Sequence, residues 1–545
     1  MKRLLLLLVL TLLGCGGTTR FALRPPVTRL ADDRPLARAP AFEEGSDAAD
    51  VMVLRPLAHA FLFDVTGESH DVNALDEVPD STWYRNRTVT PSDLVRGPCP
   101  DDGPVPPFTI ESTKGGGATS GFVGRDSRGQ KYVLKLDGGA QYGQPEINTA
   151  ADAVVSRLYW AIGFNAPCND VVVVRPSDLV LGPRAKEYDG VGRKKPMGPA
   201  RFAEIVKGSS PQGEPVRLLA SRFIDGKGIG TWRPEGVRPD DPNDVIRHED
   251  RRELRSELFL AGWIAHWDSR RGNTYDTFMP SPGGGHVVHY FLDFSDSLGA
   301  TIGRTHWPEP RSTFESVLSL EIIATDAVTF GAVRRPWDEV KVDERYPNLG
   351  FLDVEHFQPM SFAPQTPVVR WAHAQPADLA WMARKIARLD VAHVRVAVHA
   401  ARFTNPVEET RLVEILMGRR ERILRYSFAR VSPLADVALR GESFCATDLA
   451  RETGLATSAS TSYAAEFRAG EALSLARVAP RLVRTDAGVC ARMPEHFAPA
   501  GAAPDSASRY ARLDLMRFEG GSKTRLRAYF YDLGDRWALV GLDRD

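Results

Sequence analysis

Residues 131–161 hold the two periodicities that most restrict the fold. In KYVLKLD, Tyr132, Leu134 and Leu136 alternate with Val133 and Lys135, the period of a strand that turns one face to a core. PEINTAADAVVSRLYWAIGF follows, with Pro145 and Glu146 placed in its first turn and Ile147, Ala150, Ala151, Val154, Val155, Leu158 and Ala161 on one helical face. The runs FTIES and SGFVGRD precede this pair, and NDVVVVRP and VRLLASRFIDG come after it. The resulting β-β-α-β-β order describes a small antiparallel sheet crossed by one helix.

Beyond 221 the pattern becomes mainly helical. Over 250–267, Leu254, Leu258, Ala261 and Ala265 share a face that Phe259 and Gly262 widen. GGGHVVHYFLDFSDSLG then reads as a turn, a strand over 286–292 and a polar loop. Three further helical segments follow, PADLAWMARKIARL, DVAHVRVAVHAARF and NPVEETRLVEILMGRRERILRYSF, the last opened by Asn405 as N-cap and Pro406 at the first helical position. From about 432 short alternating runs such as RYARLDLMRF, RLRAYFYDL and WALVGL predict a β-rich module. The fold class expected is α+β: a small sheet lobe, a mainly helical lobe and a C-terminal β-rich module.

The chain opens on MKRLLLLLVLTLLG, a basic n-region and an apolar run too short to span about 30 Å of hydrocarbon. This is an export signal. Leu12-Leu13-Gly14-Cys15 resembles the lipobox of bacterial lipoproteins, which implies cleavage before Cys15 and acylation there. The mature protein would then be tethered by lipid to a bacterial membrane, the outer membrane being the expected site, facing the periplasm or the cell surface. Of the remaining cysteines, Cys99, Cys168, Cys445 and Cys490, sequence proximity pairs Cys99 with Cys168 and Cys445 with Cys490 among three connectivities. The organisation expected is a signal (1–14), a flexible tether (15–56), an ordered strap (57–107), a sheet lobe (108–220), a helical lobe (221–431) and the C-terminal module (432–545). A net charge of -1, from 69 Lys and Arg against 70 Asp and Glu, leaves no basic footprint for nucleic acid.

WIAHWDSRRGNTYD concentrates chemistry. His266, Asp268 and Asn273 follow the pattern His-x-Asp-x-x-x-x-Asn, and twenty residues beyond Asn273 a strand runs into Asp293-Phe294-Ser295. Upstream, GGGATSGFVG precedes Lys135, and Glu146 opens the next helix. Phosphoryl transfer needs a cation for the polyphosphate, oxygens for Mg²⁺ and a carboxylate beside the acceptor hydroxyl, and each has a candidate in this order.

On these motifs, residues of about 108–425 resemble the protein-kinase-like superfamily, nearest to its atypical branches: HipA-type kinases, phosphatidylinositol kinases and aminoglycoside phosphotransferases. The whole chain is also similar to bacterial exported proteins that join a DEVPDSTW strap to such a core. The resemblance implies a nucleotide, ATP or another, and Mg²⁺ as cofactors. It implies that Lys135 contacts the α/β-phosphates and pairs with Glu146, that Asp268 orients or deprotonates the acceptor, and that Asn273 and Asp293 hold the metal. Arg270 would neutralise the transferring group, and Gly115, Gly116, Gly117 and Gly121 would let backbone N–H groups approach phosphate. KGGGATSGFVG departs from Gly-x-Gly-x-x-Gly, and Ser295 stands where Gly is usual. The acceptor is not legible.

Two other readings stay open at this level. Asp268 and Asn273 are also loop-capping residues, Lys135 also a solvated strand position, and the fold could serve as an inactive scaffold lipoprotein, since ATP is scarce outside the cytoplasm. His266, His286 and His289 invite a metal-hydrolase reading, but His286 and His289 are three apart on an expected strand and point to opposite faces.

Overall fold

The computed structural model describes residues 19–43, 67–116, 119–137, 145–188, 193–209, 215–300, 320–334, 343–474 and 476–545. The signal, Cys15 and Gly117 lie outside the described residues. Within them the chain is a mixed α/β protein with four sheets. The first sheet has seven strands: β1 (Phe108–Thr113), β2 (Gly121–Arg125), β3 (Lys131–Leu136), β4 (Asn169–Val174), β5 (Leu179–Tyr188), β6 (Lys194–Pro196) and β7 (Val216–Arg222), in the order β4-β7-β3-β2-β1-β5-β6. It is larger than the sequence led us to expect and not wholly antiparallel, because β5 returns beside β1 in parallel register. Its last strand is the exposed Lys-Lys-Pro of β6, and charge and proline there block further pairing.

Two helices cover this sheet, one on each face, where the sequence suggested one. The alternation in β3 decides which side chain meets which helix. Leu134 and Leu136, with Phe122 and Leu218, pack toward Phe202 and Ile205 of α2 (Pro199–Ser209). The opposite face carries Lys135 and meets α1 (Ile147–Ile162), whose Ala153 packs on Val171 and Leu219. Helix α1 is buried on nearly every side, since it also joins the main hydrophobic core with Leu158, Ile162, Phe259, Trp263 and Trp381. A helix so enclosed must satisfy its polar residues internally. Arg157 accordingly donates to the Ala153 and Asn169 carbonyls at 3.0 and 2.7 Å and pairs with Asp170 at 2.8 Å.

The remaining core is built by α3 (Arg252–Ile264), α4 (Pro376–Ala387), α5 (Val391–His399) and α6 (Pro406–Phe428), with Asn405 capping α6 as its sequence implies. A three-stranded sheet of β8 (Lys227–Gly230), β9 (Thr274–Ser281) and β10 (Gly284–Phe291) interrupts this helical stretch. Beyond Phe428, a four-stranded and a five-stranded sheet share one core, Phe444 and Val489 from the first against Phe467, Leu515 and Phe530 from the second, a β-sandwich in the region read as β-rich.

Part of the expected tether is not free. Over 19–43 the segment pairs with the folded chain: Leu36 exchanges backbone hydrogen bonds with Gly285 at 2.7 and 3.1 Å, and Glu43 is bound between Ile229 and Thr231. Its Pro- and Arg-rich sequence without a sustained period concealed this, because main-chain pairing to open strand edges needs no hydrophobic pattern. From residue 67 the strap packs against the folded chain. Trp83 stacks on His289 with centroids 3.6 Å apart, and buried Asp76 pairs with Arg252 of α3, Arg384 of α4 and Arg544 of the last strand.

Both expected disulfides are present. Cys99–Cys168 holds the strap to β4's entry, and Cys445–Cys490 crosses a strand pair of the sandwich. Closing loops of 69 and 45 residues, each restricts the unfolded chain by about 4 kcal/mol in the loop-entropy account. Reduction with a phosphine should therefore lower the urea midpoint sharply, and alkylation with mass mapping should recover these two pairs and no crossed pair.

Candidate active site

Lys135 projects from the middle of the sheet onto α1, and its Nζ donates to Asp152 Oδ2 and Asp293 Oδ1, each at 2.8 Å. Asp152 lies one and a half turns into the helix with its side chain 1% exposed, while that of Asp293 is 38% exposed. Burial opposes the charge on Lys135, yet the two carboxylates hold its pKa above the usual lysine range. Asp293 is held well below the ordinary carboxylate range, burial again opposing and Lys135 prevailing.

Asp293 sits at the end of β10 with φ of +52°, a left-handed conformation uncommon outside glycine that Asp tolerates better than most residues. The turn is fixed from both sides. Asp152 Oδ1 accepts from the Phe294 N–H at 2.8 Å, and the Ser295 hydroxyl donates to Asp293 Oδ1 at 2.8 Å. Asn148 Nδ2 donates to the Ser295 carbonyl at 3.0 Å, so α1 binds the segment after β10 at two points. Ser295, where a glycine was expected, thus has a partner of its own.

The His266–Asn273 loop leaves α3 through Ala265, also left-handed at φ +51°. Asn273 Nδ2 donates to the Asp268 carbonyl at 2.7 Å and to Asp268 Oδ2 at 2.9 Å, which turns the amide oxygen away from Asp268. Arg270 Nε lies 2.9 Å from Asp268 Oδ1. Burial raises the Asp268 pKa to about 6, against the pull of Arg270 and Asn273, and the charge of Asp293 adds to the rise. The two loops are tied by Trp267 N–H to the Asp296 carbonyl at 3.3 Å, Leu298 N–H to the Ile264 carbonyl at 2.9 Å and Leu292 N–H to the Asn273 carbonyl at 2.8 Å.

His266 is internal. The Tyr159 hydroxyl donates to Glu257 Oε1 at 2.6 Å, so its oxygen accepts from His266 Nδ1 at 2.8 Å, and burial lowers the imidazole pKa to about 4. A neutral His266 positions the loop. His289 is spent on Asp276 at 2.6 Å, and among the described residues the only metal-type cluster of His, Cys, Asp and Glu is Cys99, Cys168 and Asp170, whose thiols are joined in a disulfide. The three histidines form no common metal site.

Sequence reasoning therefore placed Lys135, Asp268, Arg270, Asn273 and Asp293 in one neighbourhood, and the wrong acid on α1. Glu146 does not reach Lys135. It is the N-cap residue, and its carboxylate accepts from the Thr404 backbone N–H at 2.9 Å and from the Thr404 hydroxyl. Asp152 takes its place because it faces the sheet where Lys135 emerges. The available signal was an acid embedded in the apolar stretch TAADAVV. Gly121 pairs with Lys135 across β2 and β3, whereas Gly115 and Gly116 lie in the exposed turn before it. Also missed was Glu43, which accepts from Arg271 at 2.8 Å and Arg233 at 2.7 Å and so fastens the N-terminal segment to the Asp268 loop.

A cavity of about 780 Å³ lies elsewhere, at the end of the sandwich beside Leu439, Met493, His496 and Trp537. Its rim charges largely pair off, Glu442 with Arg492 at 2.8 Å, and it gathers no comparable set of reactive groups.

No family model matches the chain, and no curated protein does. Among solved structures it is similar to the Golgi casein kinase (12% identity, TM-score 0.24) and to the Golgi casein kinase with Mn/ADP bound (11% identity, TM-score 0.24). Each match covers 62% of this chain and 76% of the other. At that distance the likeness is weak, and the functional reading rests on the side-chain geometry.

Replacing Lys135 strands two acids around a buried methylene chain. K135M should lose about 3–5 kcal/mol in urea unfolding, the cost typical of breaking a buried pair from one side. K135M/D152L should regain a substantial part of it, and a single variant as stable as the parent would contradict the network's structural role.

Proposed function

We propose that the chain is an exported, lipid-anchored, kinase-like phosphotransferase that moves a phosphoryl or nucleotidyl group from a magnesium nucleotide to an acceptor. The observation that carries this reading is the bridging of Asp152 and Asp293 by Lys135, with the Asp268–Asn273 couple on the adjoining loop. A buried lysine fixed between helix and loop is a preorganised cation, and it needs no rearrangement to meet an anionic donor.

The roles follow from the positions. Lys135, oriented by Asp152, binds the donor's phosphates. Asp293 uses Oδ1 for Lys135 and Ser295, and its remaining oxygen, with the amide oxygen of Asn273, supplies hard ligands suited to Mg²⁺. When bound, that ion would neutralise charge on the phosphates. Asp268 accepts the proton of the acceptor hydroxyl as the oxygen–phosphorus bond forms and the bond to the leaving group breaks, releasing the nucleoside diphosphate in phosphoryl transfer or pyrophosphate in nucleotidyl transfer. Arg270, half exposed beside Asp268, is placed to meet the transferred group.

A carboxylate with pKa about 6 is ionised through the neutral range yet still basic enough to take a proton. Transfer of label from γ-labelled nucleotide should therefore rise with pH through about 6 and level off above it. D268N should abolish both the activity and the rising limb. In the same preparation, a Mg-nucleotide at 100 times its dissociation constant should stabilise the fold by about 2.7 kcal/mol. No stabilisation by any nucleotide would return the protein to the scaffold reading.

Export is supported by the two disulfides, which persist in oxidising compartments, and anchoring by the Leu12-Leu13-Gly14-Cys15 sequence. C15S should shift the full-length protein from the detergent phase to the aqueous phase on Triton X-114 partition. Retention of C15S in the detergent phase would exclude acylation at Cys15 as the anchor.

A further inference from the structure

A second ammonium stands beside Lys135, and none of the roles assigned to the site uses it. Lys114 follows directly on β1, and its backbone N–H donates to the Gly121 carbonyl at 2.8 Å, extending the Thr113–Phe122 register by one residue. Gly121 is in turn the register partner of Lys135. Residues opposite one another in an antiparallel ladder project to the same face. Lys114, Gly121 and Lys135 therefore form one row across three adjacent strands, on the face that meets α1. The flanking positions are two strand spacings apart, about 10 Å. The middle position has no side chain to fill that interval, and a Cβ on Gly121 would lie 2.3 Å from the Leu134 carbonyl oxygen, so the close strand approach excludes any larger residue.

The two lysines differ in what they hold. Lys135 is committed to two carboxylates, whereas the Lys114 Nζ donates to the Thr119 hydroxyl at 2.9 Å, and no ion pair among the described residues includes it. Lys114 is partly buried, and its pKa is lowered first by burial and then by the charge of Lys135, with Asp293 and Asp152 opposing. An ammonium desolvated next to another cation is improved by any anion that enters between them.

Resting on the phosphotransferase reading, we infer that Lys114 and Lys135, flanking the bare backbone of Gly121, form a two-cation seat for the donor's polyphosphate, in which Lys114 is a phosphate-binding residue. Lys135 is positioned by acids and supplies orientation. Among the described residues Lys114 is held only by a hydroxyl, which it can exchange for a phosphate oxygen.

The test compares full-length parent, K114M and K114R in detergent for binding of the Mg-nucleotide that stabilises the parent and, by competition, of the matching nucleoside. K114M should weaken the Mg-nucleotide about ten-fold or more, the scale of one charge-assisted hydrogen bond, and leave the nucleoside unchanged. K114R should restore most of the affinity, and the melting temperature without nucleotide should stay near the parent's, because the side chain is only half-buried. Parent-like Mg-nucleotide affinity in K114M would overturn this inference and leave the phosphotransferase reading intact. Equal losses for nucleotide and nucleoside would overturn it too, since they would make Lys114 a shaper of the pocket. A parent that binds no Mg-nucleotide would remove the reading and the inference together.

Discussion

A lysine on the face of a strand that would ordinarily be apolar has to be neutralised, and the surroundings of Lys135 are arranged around that requirement. One carboxylate comes from α1 and the other from the turn after β10, so a single ammonium ties the sheet, the helix across it and a loop 158 positions further along the chain. Asp152 also accepts from the Phe294 N–H, and the same carboxylate thus orients the lysine and fixes the backbone that presents Asp293. Buried pairs of this kind are not a generous source of stability. Their effect is geometric, and here it holds a cation, a partly exposed carboxylate and the Asp268–Asn273 couple in one place.

Helix α1 is the element through which that geometry is transmitted. It lies between the seven-stranded sheet and the core formed with α3 and α4, and it is nearly enclosed. Its polar residues act as internal connectors: Asn148 and Asp152 to the turn after β10, Arg157 to the strap and β4, Tyr159 to His266 and Glu257. Glu257 continues the chain of contacts to Arg370 and Trp371, at 2.6 and 2.7 Å. The loop bearing Asp268 is therefore supported from behind by a buried network whose histidine stays neutral.

The N-terminal segments add a second kind of support from outside. The strap inserts Trp83 against His289 and places Asp76 among three arginines from separate elements, one of them in the last strand of the sandwich. The segment over 19–43 runs along open strand edges and ends with Glu43 on Arg271. One ion pair thus joins this segment to a residue of the Asp268 loop.

The sequence by itself determined the strand that carries Lys135, the helix after it, the capped helix over 406–428, the β-rich end and the loop that joins Asp268 to Asn273. Each of these is a local pattern, set by alternation, helical spacing, capping or proximity along the chain. Tertiary structure alone decided which acid on α1 meets Lys135, that β5 returns in parallel beside β1, that residues 19–43 are docked, and that Lys114 shares a face with Lys135. Those outcomes depend on strand order and on which side of a buried helix faces the sheet. Periodicity says that a face is buried but not what it is buried against, so the sequence pointed to Glu146, and only the contact between sheet and helix singles out Asp152.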